Sequence, residues 1–337
     1  MTGVANTENE MSEPNPLLQH ADLPDFAAVR VKQITPALDR LLADADAALE
    51  RAVGAEVAPD YDAMSAVLDV ATERLSRAWG IVSHLNAVAD TPELRAAEHD
   101  NLPRVTEFYT RLGADERLYA KYKAIAAAPA AQRLEPAKRK ALANAMRDFV
   151  LSGAELQGAA KARFADIQAR LAELSQQFRE HALDATDAYA YYAGEDEIAG
   201  LPDDARSAAR DAAKADGRDG FKLTLKLPSY QPAMQYATRR DLRERLYTAY
   251  ITRASEFGPA ALDNTPVMAE LLRLRHEEAQ LLGHPSYAEV SLVPKMAQTP
   301  AQVMAFLRDL AARARPFAER DLAELRAFAA AELGLAE

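Results

Sequence analysis

Cysteine is absent from the 337-residue chain, and glycine is scarce, with 13 residues. Without cysteine, neither disulfide bonds nor thiolate metal sites can form. The low glycine count argues against a β-rich protein, which needs many tight turns, and the abundance of Ala, Leu, Glu and Arg favours helix. The hydrophobic fraction of 49% and the charged fraction of 27% are those of an ordinary globular protein. The composition therefore predicts a mostly α-helical fold.

A net positive charge and long apolar runs are also lacking. The net charge of −11 opposes binding to phosphate backbones, so nucleic acid is not an expected partner. The first residues are polar and acidic rather than basic and then apolar, and no apolar run approaches the length of a membrane span. We therefore expect a cytoplasmic protein with no membrane partner. Its length predicts two lobes or one elongated helical body.

Helix starts are marked by a recurrent Thr-Pro pair. Thr can accept a backbone N–H as N-cap, and Pro fits the first helical turn, where no N–H donor is needed. The pairs begin at Thr35, Thr91, Thr265 and Thr299. Gln302 stands where a capping box requires it.

Apolar residues at helical spacing form three stripes, at 64–85, 164–178 and 303–317. Each stripe predicts a helix buried on one side. By contrast, residues 221–227 (FKLTLKL) alternate apolar and polar at every step, which predicts a strand that follows a turn at 216–220 and ends at Pro228. A strand must pair with another segment, and the candidates are the stretch near 189–192 and a partner chain.

The sequence HEEAQ at 276–280 is one residue short of the zinc motif HExxH. Gln280 stands at the second His position, and a neutral amide is a poor zinc ligand. His284 is a weak substitute because Gly283 and Pro285 interrupt the helix around it. We therefore expect this chain to bind no zinc.

The other residues that could take part in catalysis are better explained by structural roles. His84 could be a general base, but a hydrogen-bonded histidine in the core or at a helix end is the favoured interpretation. Carboxylates at Asp184, Asp187 and 195–197 predict a solvated acidic loop rather than an acid–base pair. The sequence has no Gly-rich phosphate loop and no GxSxG motif. No catalytic or metal-binding residue is predicted, and the substrate-binding residues stay unknown.

Several segments resemble the thimet oligopeptidase/neurolysin-like family of zinc metallopeptidases, in family order from about Leu23 to the end. They are SHLNAV at 83–88, TPELR at 91–95, NAMRDF at 144–149, LDAT at 183–186, LPSY at 227–230, YITRAS at 250–255 and LRHEEAQLLG at 274–283.

The resemblance implies a mostly α fold of the thimet oligopeptidase/neurolysin type, with one small β element near 221–227. It also implies an N-terminal helical domain at 25–200 and the start of the peptidase domain at 201–337. The residues before them, 1–24, are expected to form a flexible N-terminus. In the resembled family, two helical lobes face a deep channel that admits short peptides, and zinc lies in the other half of the enzyme. Residues 221–230 resemble a piece near that cleft.

Two functions are compatible with this sequence. In the first, the chain is the channel-forming N-terminal part of a cytosolic zinc endopeptidase that degrades short peptides, and it is inactive without a catalytic C-terminal half. In the second, it is a non-catalytic helical module, a truncated paralogue or split-enzyme subunit, that binds peptides or a partner. The apolar residues Leu322, Leu325 and Phe328 continue a helical stripe near the end. They favour the N-terminal part of an enzyme, or a split enzyme, over an independent binding module.

Overall fold

The structure is a computed structural model that describes residues 15–19 and 23–335. The described residues form twelve α-helices and two short strands, and this mostly helical fold confirms the predicted class. The helices are α1 Ile34–Val53, α2 Tyr61–Val88, α3 Pro92–Gly113, α4 Glu116–Ala127, α5 Pro136–Leu151, α6 Gly158–Asp187, α7 Asp203–Ala215, α8 Leu227–Tyr236, α9 Arg240–Ile251, α10 Thr265–Leu281, α11 Tyr287–Leu292 and α12 Pro300–Leu333; the strands are β1 Tyr191–Ala193 and β2 Phe221–Leu223.

The chain divides into two compact units. The first contains the described parts of Met1–Ala43, Glu73–Thr110 and Ala165–Leu274, and the second those of Asp44–Thr72, Arg111–Phe164 and Arg275–Glu337. The domains expected at 25–200 and 201–337 stay a prediction. Most of the segment 1–24, including His20, lies outside the described residues; Leu17 within it is buried.

In the first unit, β1 and β2 form a two-stranded antiparallel sheet. Tyr191 pairs with Leu223 and Ala193 with Phe221, so the suspected pairing near 189–192 is confirmed. The helix α7 packs on β2, and Phe221 and Leu223 are buried in a cluster with residues of α8 and α9.

The strand is shorter than the alternating pattern predicts. Burial continues to alternate up to Leu225, but the backbone N–H of Thr224 donates to Ser229 Oγ at 3.0 Å instead of to a strand. Leu227 is 58% exposed and begins α8, with Pro228 in its first turn. Pro228 therefore starts a helix instead of ending a strand, as its missing N–H allows.

The core of the second unit combines parts of α1 and α2 with α4 and α5. The ring of Phe149 lies 5.3 Å from that of Tyr119 and 5.4 Å from that of Tyr122, between ring centroids. Burial raises the pKa of Tyr122 to about 12. Aromatic pairs at these distances stabilise a core beyond the apolar area that they bury.

Two of the four predicted Thr caps are confirmed. Thr91 Oγ1 accepts from Leu94 N at 3.2 Å, and Thr299 Oγ1 accepts from Gln302 N at 3.1 Å. The other two predictions are wrong by one or two positions, because both Thr residues lie inside the helix instead of preceding it. Thr35 is the second residue of α1, and Thr265 is the first residue of α10. At α1 a 3₁₀ turn, Val31–Gln33, leads directly into the helix, so no separate cap is needed.

The stripes at 64–85 and 164–178 lie on α2 and α6, and most of their residues are buried or half-buried, as predicted. The third stripe lies on α12, where the prediction of a buried face is wrong. Phe306 is 65% exposed, Leu310 52% and Phe317 60%. Helical periodicity identifies the apolar face, but nothing in the described residues covers it.

Candidate functional site

A pocket in the first unit is lined by α2, α3, α6 and the segment after α9. Its volume is about 360 Å³, which falls in the range of small-molecule sites. Apolar surface comes from Ala87, Phe178, Ala182 and Leu183, and polar groups include Ser83, Asn86, Glu98, Arg179, Glu180 and Arg253. The pocket thus combines an apolar wall with charges of both signs.

Glu98 on α3 is the most deeply buried of the lining residues, at 1% exposure. Its carboxylate accepts a hydrogen bond from Ser83 Oγ at 2.8 Å and another from Asn86 Nδ2. Ser83 and Asn86 lie three positions apart on α2, so both face the same side of that helix. The Arg179 guanidinium lies 4.0 Å from the carboxylate, beyond hydrogen-bonding distance.

One turn before Glu98, Arg95 joins α3 to α6. Its Nη1 and Nη2 donate to the two oxygens of Asp184 at 2.8 and 2.6 Å, and Nη2 also donates to Asp90 at 2.5 Å. The Arg95 guanidinium holds the pKa of the Asp184 carboxyl below its usual value, and the two carboxylates raise the pKa of Arg95. This bidentate pair fixes the orientation of the two helices that line the pocket.

An aromatic stack lies on α8 and α9. The rings of Tyr230 and Tyr250 are stacked with centroids 4.3 Å apart, and Arg253 Cζ lies 3.9 Å from the Tyr250 centroid. Arg253 Nη1 also donates to the Tyr250 carbonyl at 2.6 Å. These contacts hold in place an arginine that lines the pocket.

Comparison with known proteins identifies the family. The model for "Neurolysin/Thimet oligopeptidase, N-terminal domain" matches residues 38–161, and that for "Peptidase family M3" matches residues 233–337. Oligopeptidase A of Salmonella typhimurium is 44% identical over 326 residues, which cover 96% of this chain and 48% of that protein. The Escherichia coli enzyme is 43% identical over the same coverage, and the probable cytosolic oligopeptidase A of Arabidopsis thaliana is 37% identical over 94% of this chain and 45% of its own length.

The chain belongs to peptidase family M3. It matches an N-terminal half of oligopeptidase A, so the resemblance drawn from the seven segments is confirmed. The chain spans about half the length of the curated relatives that it matches.

Four of the segments that carry the M3 resemblance meet at or beside the pocket. The segment 83–88 supplies Ser83 and Asn86, and 183–186 supplies Leu183. Arg253 comes from 250–255, and 91–95 contributes Arg95, which binds Asp184. Glu98 was missed by sequence reasoning because a lone Glu in a helix carries no signal of burial.

Family M3 is zinc-dependent, and the residues around His276 do not fit that metal. Arg163 binds the Glu277 carboxylate through two nitrogens at 2.6 and 2.8 Å. Gln280 Nε2 donates to the carbonyl oxygens of His284 and Pro285, both at 3.1 Å. The Gln280 amide therefore serves as a hydrogen-bond donor to the backbone and not as a metal ligand. Across the part of the chain that the structure describes, no group of three His, Asp or Glu side chains could hold a metal ion.

His84 departs from its favoured interpretation. It is exposed on α2, and its ring lies 5.2 Å from that of Phe26. Asp184 belongs to a helix, contrary to the predicted acidic loop, and the other carboxylates of that cluster have partners. Asp187 pairs with Lys226, Glu195 with Arg206, Asp196 with Arg239, and Glu197 accepts from Tyr191.

No helix within residues 15–19 and 23–335 combines enough length with enough apolar character to cross a membrane.

Proposed function

We propose that this chain is the channel-forming N-terminal part of an oligopeptidase A-like zinc endopeptidase that degrades short peptides in the cytosol. The 337 residues contain no HExxH motif, so the chain alone is expected to cleave no peptide. A catalytic C-terminal half would supply the zinc site. The exposed apolar face of α12 is the observation that carries this proposal.

The apolar face of α12 runs along most of a 34-residue helix. Its exposed members are Met304, Phe306, Leu307, Leu310, Phe317, Leu325 and Phe328, each at least 45% exposed. With 3.6 residues per turn, these positions fall on one side of the helix. A contiguous apolar stripe of this kind is typical of an interaction surface.

The free energy available from covering this stripe is large. Full burial of one Leu or Phe side chain contributes about 1.5–3 kcal/mol. Seven such side chains, already partly covered, would therefore contribute on the order of 10 kcal/mol before the entropy of association is subtracted. A gain of this size is comparable to the roughly 4–15 kcal/mol of free energy that association costs, so covering the stripe would offset much of that cost.

Complementation tests the proposal. The chain is mixed with a separately produced C-terminal half of Escherichia coli oligopeptidase A, and sedimentation, hydrophobic-dye binding and cleavage of a short fluorogenic peptide are measured with zinc present. We expect dye uptake and no cleavage for the chain alone. Mixing should reduce dye uptake, form a complex and produce zinc-dependent cleavage.

A matched pair of variants separates the apolar face from the rest of α12. Leu310→Asp places a charge in the stripe, whereas Ala312→Asp places the same charge on the opposite side of the helix, at an exposed position. Leu310→Asp should abolish complex formation and Ala312→Asp should leave it intact. A compact monomer with no dye uptake and no complex would favour the non-catalytic binding module instead.

A further inference from the structure

The pocket of the first unit contains a buried hydrogen-bond acceptor that lacks a donor, next to a buried carboxylate. An ionised carboxylate offers about four acceptor positions. Glu98 receives two hydrogen bonds, from Ser83 and Asn86, and both donors are neutral. Asn86 itself is 8% exposed, and its Oδ1 has no hydrogen-bond partner. The buried Asn86 Oδ1 therefore lacks a donor, and it lies on a side chain that binds a carboxylate whose two oxygens accept only one hydrogen bond each.

Such an arrangement is costly unless a donor is supplied. A buried acceptor without a donor destabilises a fold by about 1–3 kcal/mol, and a charged acceptor by more. The positive group beside Glu98 is Arg179, whose Nη2 lies 4.0 Å away and whose side chain is 62% exposed. Arg179 thus lowers the electrostatic cost of the carboxylate from a distance and donates no hydrogen bond to it.

We propose that this pocket binds the primary ammonium group of a small organic ligand, with Glu98 and Asn86 as its acceptors. An ammonium group carries a positive charge and three N–H donors. These match an amide oxygen without a donor and a carboxylate that can accept further hydrogen bonds. Phe178, Ala182 and Leu183 line the same 360 Å³ pocket and would contact an apolar substituent of the ligand.

The α-ammonium group of an amino acid or a short peptide satisfies both requirements. The choice of a peptide-derived ligand rests on the proposed function, whereas the requirement for an ammonium group rests on the pocket alone. The binding site that we propose consists only of residues of the first unit.

Binding to the 337-residue chain tests this proposal without any measurement of hydrolysis. Leucinamide, which has an ammonium group and an apolar side chain, is titrated calorimetrically, and N-acetylleucinamide, which lacks the ammonium group, serves as the matched ligand. Potassium chloride is the probe for a bare cation. Trp79 lies one helical turn before Ser83 on α2, so its fluorescence provides a second readout.

We expect leucinamide to bind and N-acetylleucinamide to bind at least tenfold more weakly, because a charge-assisted hydrogen bond contributes about a factor of ten or more. Glu98→Gln should weaken leucinamide binding at least tenfold. Glu93→Gln, at an exposed position of the same helix, should leave binding unchanged.

A variant at the exposed Arg179 covers the case in which Glu98→Gln does not fold, as judged by circular dichroism. Arg179→Gln removes a positive charge that competes for the carboxylate, so leucinamide should bind about two- to threefold more tightly. The proposal is overturned if N-acetylleucinamide binds as well as leucinamide, or if potassium displaces leucinamide at equal concentration. Unchanged or weaker leucinamide binding by Arg179→Gln would overturn it as well. None of these results depends on complementation by a catalytic half, so the two proposals can fail separately.

Discussion

Replacing Gly200 by Ala should destabilise the first unit more than any conservative surface change. Gly200 has a φ of +91°, and an added Cβ would lie 2.2 Å from the Tyr236 carbonyl oxygen and 2.9 Å from Thr238 Cγ2. The backbone cannot move away easily, because the preceding Ala199 carbonyl accepts from Thr238 N at 2.8 Å and from Thr238 Oγ1 at 3.1 Å.

The expected magnitude follows from two separate costs. A positive φ at a residue with a Cβ costs about 1–2 kcal/mol. The forced shift of a packed backbone costs about 1–3 kcal/mol. Together they predict that Gly200→Ala lowers the free energy of unfolding by about 2–5 kcal/mol.

Gly80→Ala is the matched control within the same unit. Gly80 lies exposed in the middle of α2, and no atom lies within 4 Å of the position of an added Cβ. The same substitution should there stabilise the protein by about 0.5–1 kcal/mol, since Ala loses less backbone entropy in a helix than Gly does.

Urea unfolding measures both effects. Circular dichroism follows the whole chain, and the fluorescence of the single tryptophan, Trp79, follows the first unit. The reasoning is refuted if the midpoint of Gly200→Ala equals that of the wild type, or if both variants shift the midpoint in the same direction.

Three further predictions concern charge and metal. Arg95 lowers the folded-state pKa of Asp184 below 3.8, so the ion pair stabilises the fold above that pH and is lost as pH falls through the lowered value. Asp184→Asn should lower the free energy of unfolding by about 1 kcal/mol near neutral pH, a value kept small because the Asp184 side chain is 36% exposed. In acid, the urea midpoints of the variant and the wild type should converge. Burial raises the pKa of Tyr122 to about 12 from 10.0; the unfolded state therefore ionises first, and Tyr122→Phe should lose less stability than the wild type as pH rises from about 10 to 12. After dialysis, metal analysis should find no stoichiometric zinc, and one zinc per chain that is lost in His276→Ala would contradict this.

Local patterns were sufficient to predict the elements that depend on local contacts. The helical stripes of α2 and α6, and the Thr caps of α3 and α12, follow from spacing within a few residues. The strand at 221–223 was predicted too long because its end depends on a side chain five positions away, Ser229, which takes the Thr224 N–H. Backbone hydrogen bonding to a nearby hydroxyl competes with strand pairing and leaves no mark on the apolar alternation.

The candidate site was not predictable in this way. Ser83 and Glu98 are 15 positions apart, and Arg95 and Asp184 are 89 apart. Helix periodicity says which face of each helix is apolar, but it does not say which helices pack together. The family segments pointed to the right stretches of chain without showing that they meet.

The sequence by itself determined the helical class, the M3 resemblance and the absence of an HExxH motif, since these depend on composition, short-range spacing and residue identity. Only the tertiary structure decided which polar groups are buried. Glu98 became a buried carboxylate because α2 brings Ser83 and Asn86 against it, whereas the apolar stripe of α12 stayed exposed because no described segment packs on it. Burial is a property of the packed neighbours of a residue, and those neighbours lie far away along the chain.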